Sequence, residues 1–347
     1  MTPTMTDLIP LNVITGFLGS GKTTLLQKLL ASDLGGETAV LINELGEVGI
    51  DHLLVGEIAP NTVLLKSGCV CCSIRGDLKD AVIQLYSRRQ KGEIPRFLRI
   101  ILETTGLADP APIFATVLAD PMLRHHFRLG VVIAVVDSFN ASLHEQLHPE
   151  WTAQVTSADR LVLTKTDLVP EHARQALLKH LRATNPTALI TTNTEVKEAD
   201  PLLLNAGLHA ARPEIEAQRW VQNFPPSMGL EKDDSTLHQH PSDSGHPTVN
   251  SFCLVFDRQI NWTAFGLWLS MLLNRHGRSI LRVKGILNLT GTDYPIAIHG
   301  VQHLVHPPVH LRAWPDEDRC SKIVFIARGI ERETIERSLK VFCEHLS

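Results

Sequence analysis

No stretch of about 18 consecutive apolar residues occurs in the chain, so no membrane-spanning helix is expected. Residues 1–7 lack a basic region followed by an apolar one, so no secretory leader is expected either. Basic residues are not in excess. The 33 Lys and Arg stand against 37 Asp and Glu, a formal charge of −4, which gives no electrostatic footprint for a nucleic-acid partner. A disulfide framework is also missing. Of the six cysteines, Cys69, Cys71 and Cys72 crowd into four positions, while Cys253, Cys320 and Cys343 are scattered. Such crowding suits a metal or redox site better than a set of staples, and a cytoplasmic setting with reduced thiols is expected. With 44% hydrophobic and 20% charged residues, a chain of 347 can build a real core and fill two domains.

The most specific stretch is Gly16-Phe17-Leu18-Gly19-Ser20-Gly21-Lys22-Thr23, which fits the phosphate-binding pattern G-x-x-x-x-G-K-[ST]. Glycines let successive backbone N–H groups turn inward around phosphate oxygens, and the following helix adds its positive end. Lys22 can reach the outer phosphates, and the Thr23 hydroxyl can hold Mg²⁺. The flanks agree: residues 8–14 read as a buried strand and residues 24–30, from Thr24, as a helix. Gly16, Gly19, Ser20, Gly21, Lys22, Thr23 and Thr24 are therefore the expected nucleotide contacts.

Strands are expected at 38–42, 62–66, 97–102, 129–136 and 160–163, with helices at 77–89, 150–157 and 170–183. After the second strand, residues 43–51 alternate acidic side chains with glycines, which suits either a surface loop or a switch loop near a metal. Glu103, at the end of a buried strand, and Gly106 stand where a second Mg²⁺-side acid and a γ-phosphate sensor are expected. Asp137 ends the most apolar strand and suits either a cap of the next turn, the reading slightly favoured, or a Mg²⁺ group. Asp167, in Thr164-Lys165-Thr166-Asp167, can accept both guanine N1–H and the exocyclic amine. Adenine lacks that donor pair, so Asp167 would select GTP, with the Lys165 stem over the base. Alternating strands and helices through about residue 205 imply an α/β domain with a doubly wound, mostly parallel sheet.

In Gly68-Cys69-Val70-Cys71-Cys72 the thiols converge if the backbone turns tightly at Gly68. Thiolates are strong Zn²⁺ ligands, and three leave a tetrahedral ion one short, with Glu47, His52 or a partner's group to complete it. Buried structural cysteines and a redox role for the vicinal Cys71 and Cys72 are the alternatives. Residues 206–248 read as a linker, and His238, His240 and His246 in its flexible part are either incidental in a solvated segment, the favoured reading, or metal-binding. From 249 to 347 a smaller α+β domain is expected, with strands at 251–256, 280–289, 294–305 and 321–327 and helices at 261–275 and 331–345. His299, His303, His306 and His310 are expected at the surface or facing a partner.

Taken together, the phosphate loop, residues 43–51, the cysteine run, Glu103–Gly106, Thr164–Asp167 and the histidine-bearing linker resemble the CobW-like GTPases, relatives of the UreG and HypB nickel-insertion GTPases. The resemblance spans nearly the whole chain. It implies a P-loop NTPase domain and GTP hydrolysis coupled to holding and transferring a metal, most often zinc. By that route Cys69, Cys71 and Cys72 are the metal thiols and Glu47 the acidic helper. GTP, Mg²⁺ and Zn²⁺ are the implied ligands, and a metal-receiving client is the implied partner. Relatives that pair when nucleotide binds imply a nucleotide-dependent homodimer. Thr164 stands where many GTPases carry asparagine, so the side-chain bond that steadies the phosphate loop from behind is expected to be lost. The competing readings are a P-loop ATPase or kinase with structural cysteines, and a non-enzymatic metal sensor or store switched by nucleotide.

Overall fold

A computed structural model describes residues 8–31, 37–43, 63–67, 74–196, 208, 213–223 and 248–345. The chain divides into two compact units, residues 1–178 with 188–211, and residues 179–187 with 212–347. Among the described residues no helix is long and apolar enough to cross a membrane.

The first unit is built on a seven-stranded sheet with every neighbouring pair parallel. Its strands are β1 (Ile9–Gly16), β2 (Thr38–Asn43), β3 (Val63–Ser67), β4 (Arg99–Glu103), β5 (Phe127–Asp137), β6 (Arg160–Thr164) and β7 (Leu189–Thr192), in the order β3-β2-β4-β1-β5-β6-β7. Strands covered on both faces need continuous apolar runs, which is why β4 and β6 are buried at every position and β5 at nearly all. Helix α1 (Lys22–Leu30) turns Leu25, Leu26, Leu29 and Leu30 onto Ile14, Val40, Ile101 and Ile133. The other helices of the unit are α2 (Ile74–Gln90), α3 (Ala111–Ala119), α4 (Pro121–His126), α5 (Ala141–Leu147) and α6 (Pro149–Ser157), and α7 (Glu171–Thr184) begins in this unit and ends in the second. The chain winds outward from β1 in both directions. Loops at the C-terminal strand ends therefore converge beside β1, where sheets of this kind bind ligands.

The second unit holds α8 (Pro213–Asn223), which lies inside the segment expected to be linker and buries Glu216, Ala217 and Trp220. It continues with β8 (Val249–Phe256), α9 (Trp262–His276), β9 (Ile280–Leu287), β10 (Ile296–Val301), β11 (Leu304–Val305), β12 (Val309–His310), β13 (Ser321–Arg328) and α10 (Arg332–His345). The sheet is antiparallel, ordered β11-β10-β9-β13-β8, with β12 also on β10. One face carries Phe252, Leu254, Val283 and Phe325 against Phe265, Trp268, Leu269 and Leu339 of the two helices. The other face carries Lys284 and His299, cross-strand partners in register. Trp220 of α8 covers them, with the Lys284 ammonium 4.3 Å from its ring centroid.

Two further sequence expectations fail in this unit. Residues 294–305 are not one strand. A turn at Gln302, whose φ of 52° is rare for a non-glycine residue, folds β11 back on β10. That fold brings His306 beside His299. Their rings stack at 4.2 Å and 5°, and both side chains are buried rather than at the surface. His303 and His310 do stay exposed.

Phe325 is fully buried, stacked on Phe252 and edge-on to Trp268. Phe325→Ala is expected to destabilise the second unit by about 3–5 kcal/mol. Denaturant unfolding checks this, and a loss below about 1 kcal/mol would contradict the packing described.

Candidate functional site

The stretch 16–23 closes as a loop between β1 and α1. Gly19 and Gly21 have φ of 68° and 94°, a left-handed geometry in which side chains with a Cβ are strained. This geometry turns backbone N–H groups to one side, as a phosphate cradle requires. The loop is already tied to itself. Ser20 N donates to Phe17 O at 3.2 Å, and Lys22 Nζ donates to the same carbonyl at 3.1 Å. The Ser20 hydroxyl is buried and pairs with no described group, as a donor awaiting an oxygen ligand would be. Thr24 lies exposed on the first turn of α1.

Thr23 and Glu103 come together across the sheet. Thr23 Oγ1 donates to Glu103 Oε1 at 2.7 Å, although 80 residues separate them. Parallel register makes this meeting possible, because Glu103 at the end of β4 is level with Ile14 of β1 and Ile42 of β2. A hydroxyl and a carboxylate in contact beside a phosphate cradle are a fitting oxygen set for Mg²⁺.

The loop after β4 packs directly on the phosphate loop. A Cβ on Gly106 would stand 2.5 Å from Leu18 N, so only glycine fits. Gln154 of α6, 1% exposed, donates to the carbonyls of Gly106 and Ala108 at 3.0 and 3.1 Å. Thr104 Oγ1 donates to Thr15 Oγ1 at 2.9 Å. Neither Thr15 nor Gln154 carries a sequence signal, since each acts through a contact distant in the chain.

Thr164 corrects a sequence expectation. Its hydroxyl donates to Ser20 O at 2.7 Å, so the brace behind the phosphate loop is kept with a different donor. Threonine succeeds because β6 brings its Cβ close enough for a short side chain. A Cβ added at Gly21 would lie 3.5 Å from Thr164 Cγ2. Lys165 follows with a φ of 53°, and Asp167 lies exposed on the turn Thr166–Leu168.

Asp137 caps the turn after β5, accepting from Phe139 N at 3.0 Å and Asn140 N at 3.3 Å. It also pairs with Lys165 Nζ at 2.7 Å. Burial pushes its carboxyl up, but the bonds from Lys165, Asn140 and Phe139 outweigh that and hold it below the usual aspartate range. On α5 and just past it, the His144 and His148 rings pack at 4.4 and 4.3 Å against Phe17 of the phosphate loop. Burial lowers the His144 pKa, Asp137 opposes, and His148 and Lys165 add to the lowering.

Glu47, Cys69, Cys71, Cys72 and the histidines of 238–246 lie outside the described residues. Among the described residues no three His, Cys, Asp or Glu side chains are grouped to hold a metal ion. The strand ends that lead into the two relevant segments are described. Asn43, before residues 44–51, and Ser67, before the cysteine run, are register partners on β2 and β3.

The sheet and its loop define a P-loop nucleotide-binding protein. The chain belongs to the CobW family: residues 10–192 match the family described as CobW/HypB/UreG, nucleotide-binding domain, and residues 249–343 match the cobalamin synthesis protein cobW C-terminal domain. It is 32% identical over 327 residues to the zinc chaperone YjiA of Escherichia coli, covering 94% of this chain and 96% of the relative. It is 29% identical over 350 residues to the zinc-regulated GTPase metalloprotein activator 1 of Schizosaccharomyces pombe, covering 94% and 84%. The crystal structure of Zn(II)-bound YjiA GTPase from E. coli superposes with a TM-score of 0.70 at 28% identity, covering 97% of this chain and 99% of that one. A YjiA variant with one glutamate and two cysteines replaced by alanine is likewise Zn(II)-bound, with a TM-score of 0.69 at 28% identity and the same coverage.

Thr164→Val removes the hydroxyl at nearly constant shape and leaves Ser20 O without that donor. GTP affinity should fall about fivefold, the equivalent of about 1 kcal/mol, while Thr164→Ser stays near wild type. Calorimetric titration checks both, and equal affinity for Val and Thr would refute the brace.

Proposed function

We propose that this chain is a GTP-hydrolysing metallochaperone. It holds zinc at Cys69, Cys71 and Cys72 with Glu47 and passes it to a client metalloprotein as GTP is spent. One observation carries the reading: Asn43 and Ser67 are paired at the strand edge that also ends in Glu103. Neighbouring strands are about 4.8 Å apart, so Ser67, which precedes the cysteine run in the chain, lies roughly 10 Å from the strand position of the acid that meets Thr23. A change at the γ-phosphate is then within reach of the metal loop. The names of the relatives, zinc chaperone and zinc-regulated GTPase, support both halves of the reading.

In the proposed reaction water attacks the γ-phosphorus, the bond to the β–γ bridging oxygen breaks, GDP leaves and the water oxygen remains in inorganic phosphate. Loop N–H groups from Gly16 to Thr23 cradle the phosphates, and Lys22 leaves Phe17 O to neutralise the outer ones. Thr23 and Glu103 would hold Mg²⁺, which, when bound, offsets charge on the β- and γ-oxygens. The Gly106 backbone touches the loop and senses whether the γ-phosphate is there. Asp167 reads the guanine edge, with the Lys165 stem against the base. When phosphate leaves, the grip on zinc loosens. The site works in the cytoplasm, and nucleotide-dependent pairing of two copies is part of the same proposal. Linkage requires that if GTP tightens zinc, zinc tightens GTP equally.

Cys71→Ala tests the assignment by zinc titration with and without GTP. The wild type should bind zinc more tightly with GTP. The variant should lose at least the roughly 10–100-fold that even outer partners of a metal site command, and lose the GTP effect with it. Some zinc should remain, since the YjiA variant lacking a glutamate and two cysteines is still Zn(II)-bound. The nucleotide-coupled fraction is therefore the readout, and an unchanged coupled fraction would overturn the proposal.

A further inference from the structure

The two oxygens of Asp137 have separate tasks. Oδ1 accepts both backbone bonds of the turn, from Phe139 N and Asn140 N. Oδ2 accepts the Lys165 ammonium at 2.7 Å and the Asn140 side-chain amide at 2.9 Å. The carboxylate is 1% exposed and held by three donors other than Lys165, so its direction does not depend on the lysine. Lys165 is the more exposed partner, with 37% of its side chain accessible. Strand register backs the geometry: Asp137 ends β5 level with Thr164 of β6, and Ser138 N donates to Thr164 O at 3.1 Å. Lys165 then leaves the strand through a left-handed φ that directs its side chain back toward β5.

We propose that Asp137 is a positioning residue for the nucleobase subsite, where its Oδ2 anchors the Lys165 ammonium and keeps the lysine stem extended as a platform for the guanine plane. The proposal rests on the reading that Lys165 and Asp167 take the base. A free lysine would surrender its rotamer freedom when the base arrives. A lysine already pinned at Nζ has surrendered it beforehand, so the base binds a prepared surface. The anchor acts on the base alone, because the phosphate cradle is fixed by other bonds, those of Thr164, Phe17 and Gln154.

The division between the oxygens supplies the test. Asp137→Asn keeps an Oδ1 for the two turn amides but turns an N–H₂ toward the Lys165 ammonium. Binding of GTP, ATP and inorganic tripolyphosphate to the full chain with Mg²⁺ is measured for wild type and variant. GTP affinity is expected to fall roughly threefold to tenfold, the cost of immobilising one long side chain, with tripolyphosphate unchanged. Equal losses for both ligands would mean a merely structural role, and no loss for either would mean no anchor. Each overturns the proposal. A wild type that does not prefer GTP to ATP would instead overturn the base reading itself. If Asp137→Asn does not fold, Lys165→Met removes the charge from the other end of the pair, and wild-type GTP affinity in that variant would overturn the anchor.

Discussion

Parallel register is the constraint on which the rest depends. Every strand of the first sheet points the same way, so every strand empties its following loop onto one edge. Glu103 is level with Ile14 on one side and Ile42 on the other, and the next residue of β2 is level with the last of β3. Five segments that carry chemistry in the sequence, after β1, β2, β3, β4 and β6, therefore start from one row of strand ends. In the proposed function a nucleotide at the centre of that row acts over a short path on a metal held by the segments after β2 and β3. The proposed coupling needs no rearrangement of the sheet, only of loops that leave it.

The phosphate loop is held by contacts of its own. Thr164 braces it from behind, Gly106 packs on it from the side, and Phe17 packs against two imidazoles. Lys22 waits on a carbonyl of the loop itself. A site whose parts are bonded to one another loses little freedom when nucleotide binds, so more of the interaction energy remains to drive changes in the neighbouring loops. Asp137 extends the same economy to the base.

Much of this was legible in the sequence, for a physical reason. Buried parallel strands must be apolar runs, and a phosphate cradle must have glycines, so β1, β5, β6 and the loop 16–23 announce themselves. The meeting of Thr23 with Glu103 follows once the strand order is known. What stayed hidden depends on contacts between distant residues. Nothing local says that a threonine can replace an asparagine as the loop's brace, because that turns on how near β6 brings its Cβ to Gly21. Nothing local marks Gln302 as a positive-φ turn, and without that turn His299 and His306 read as surface histidines instead of a buried stack. Helix α8 was masked by a polar composition that hides Trp220, whose burial comes from the sheet it covers.

The central claim is that nucleotide state sets the grip on zinc. The most direct measurement follows a single turnover of GTP by the zinc-loaded chain in the presence of a chromogenic chelator, recording phosphate and released zinc together. The account predicts that zinc appears with phosphate, and that a non-hydrolysable GTP analogue retains it. Release at the same rate with the analogue as with GTP would contradict the account.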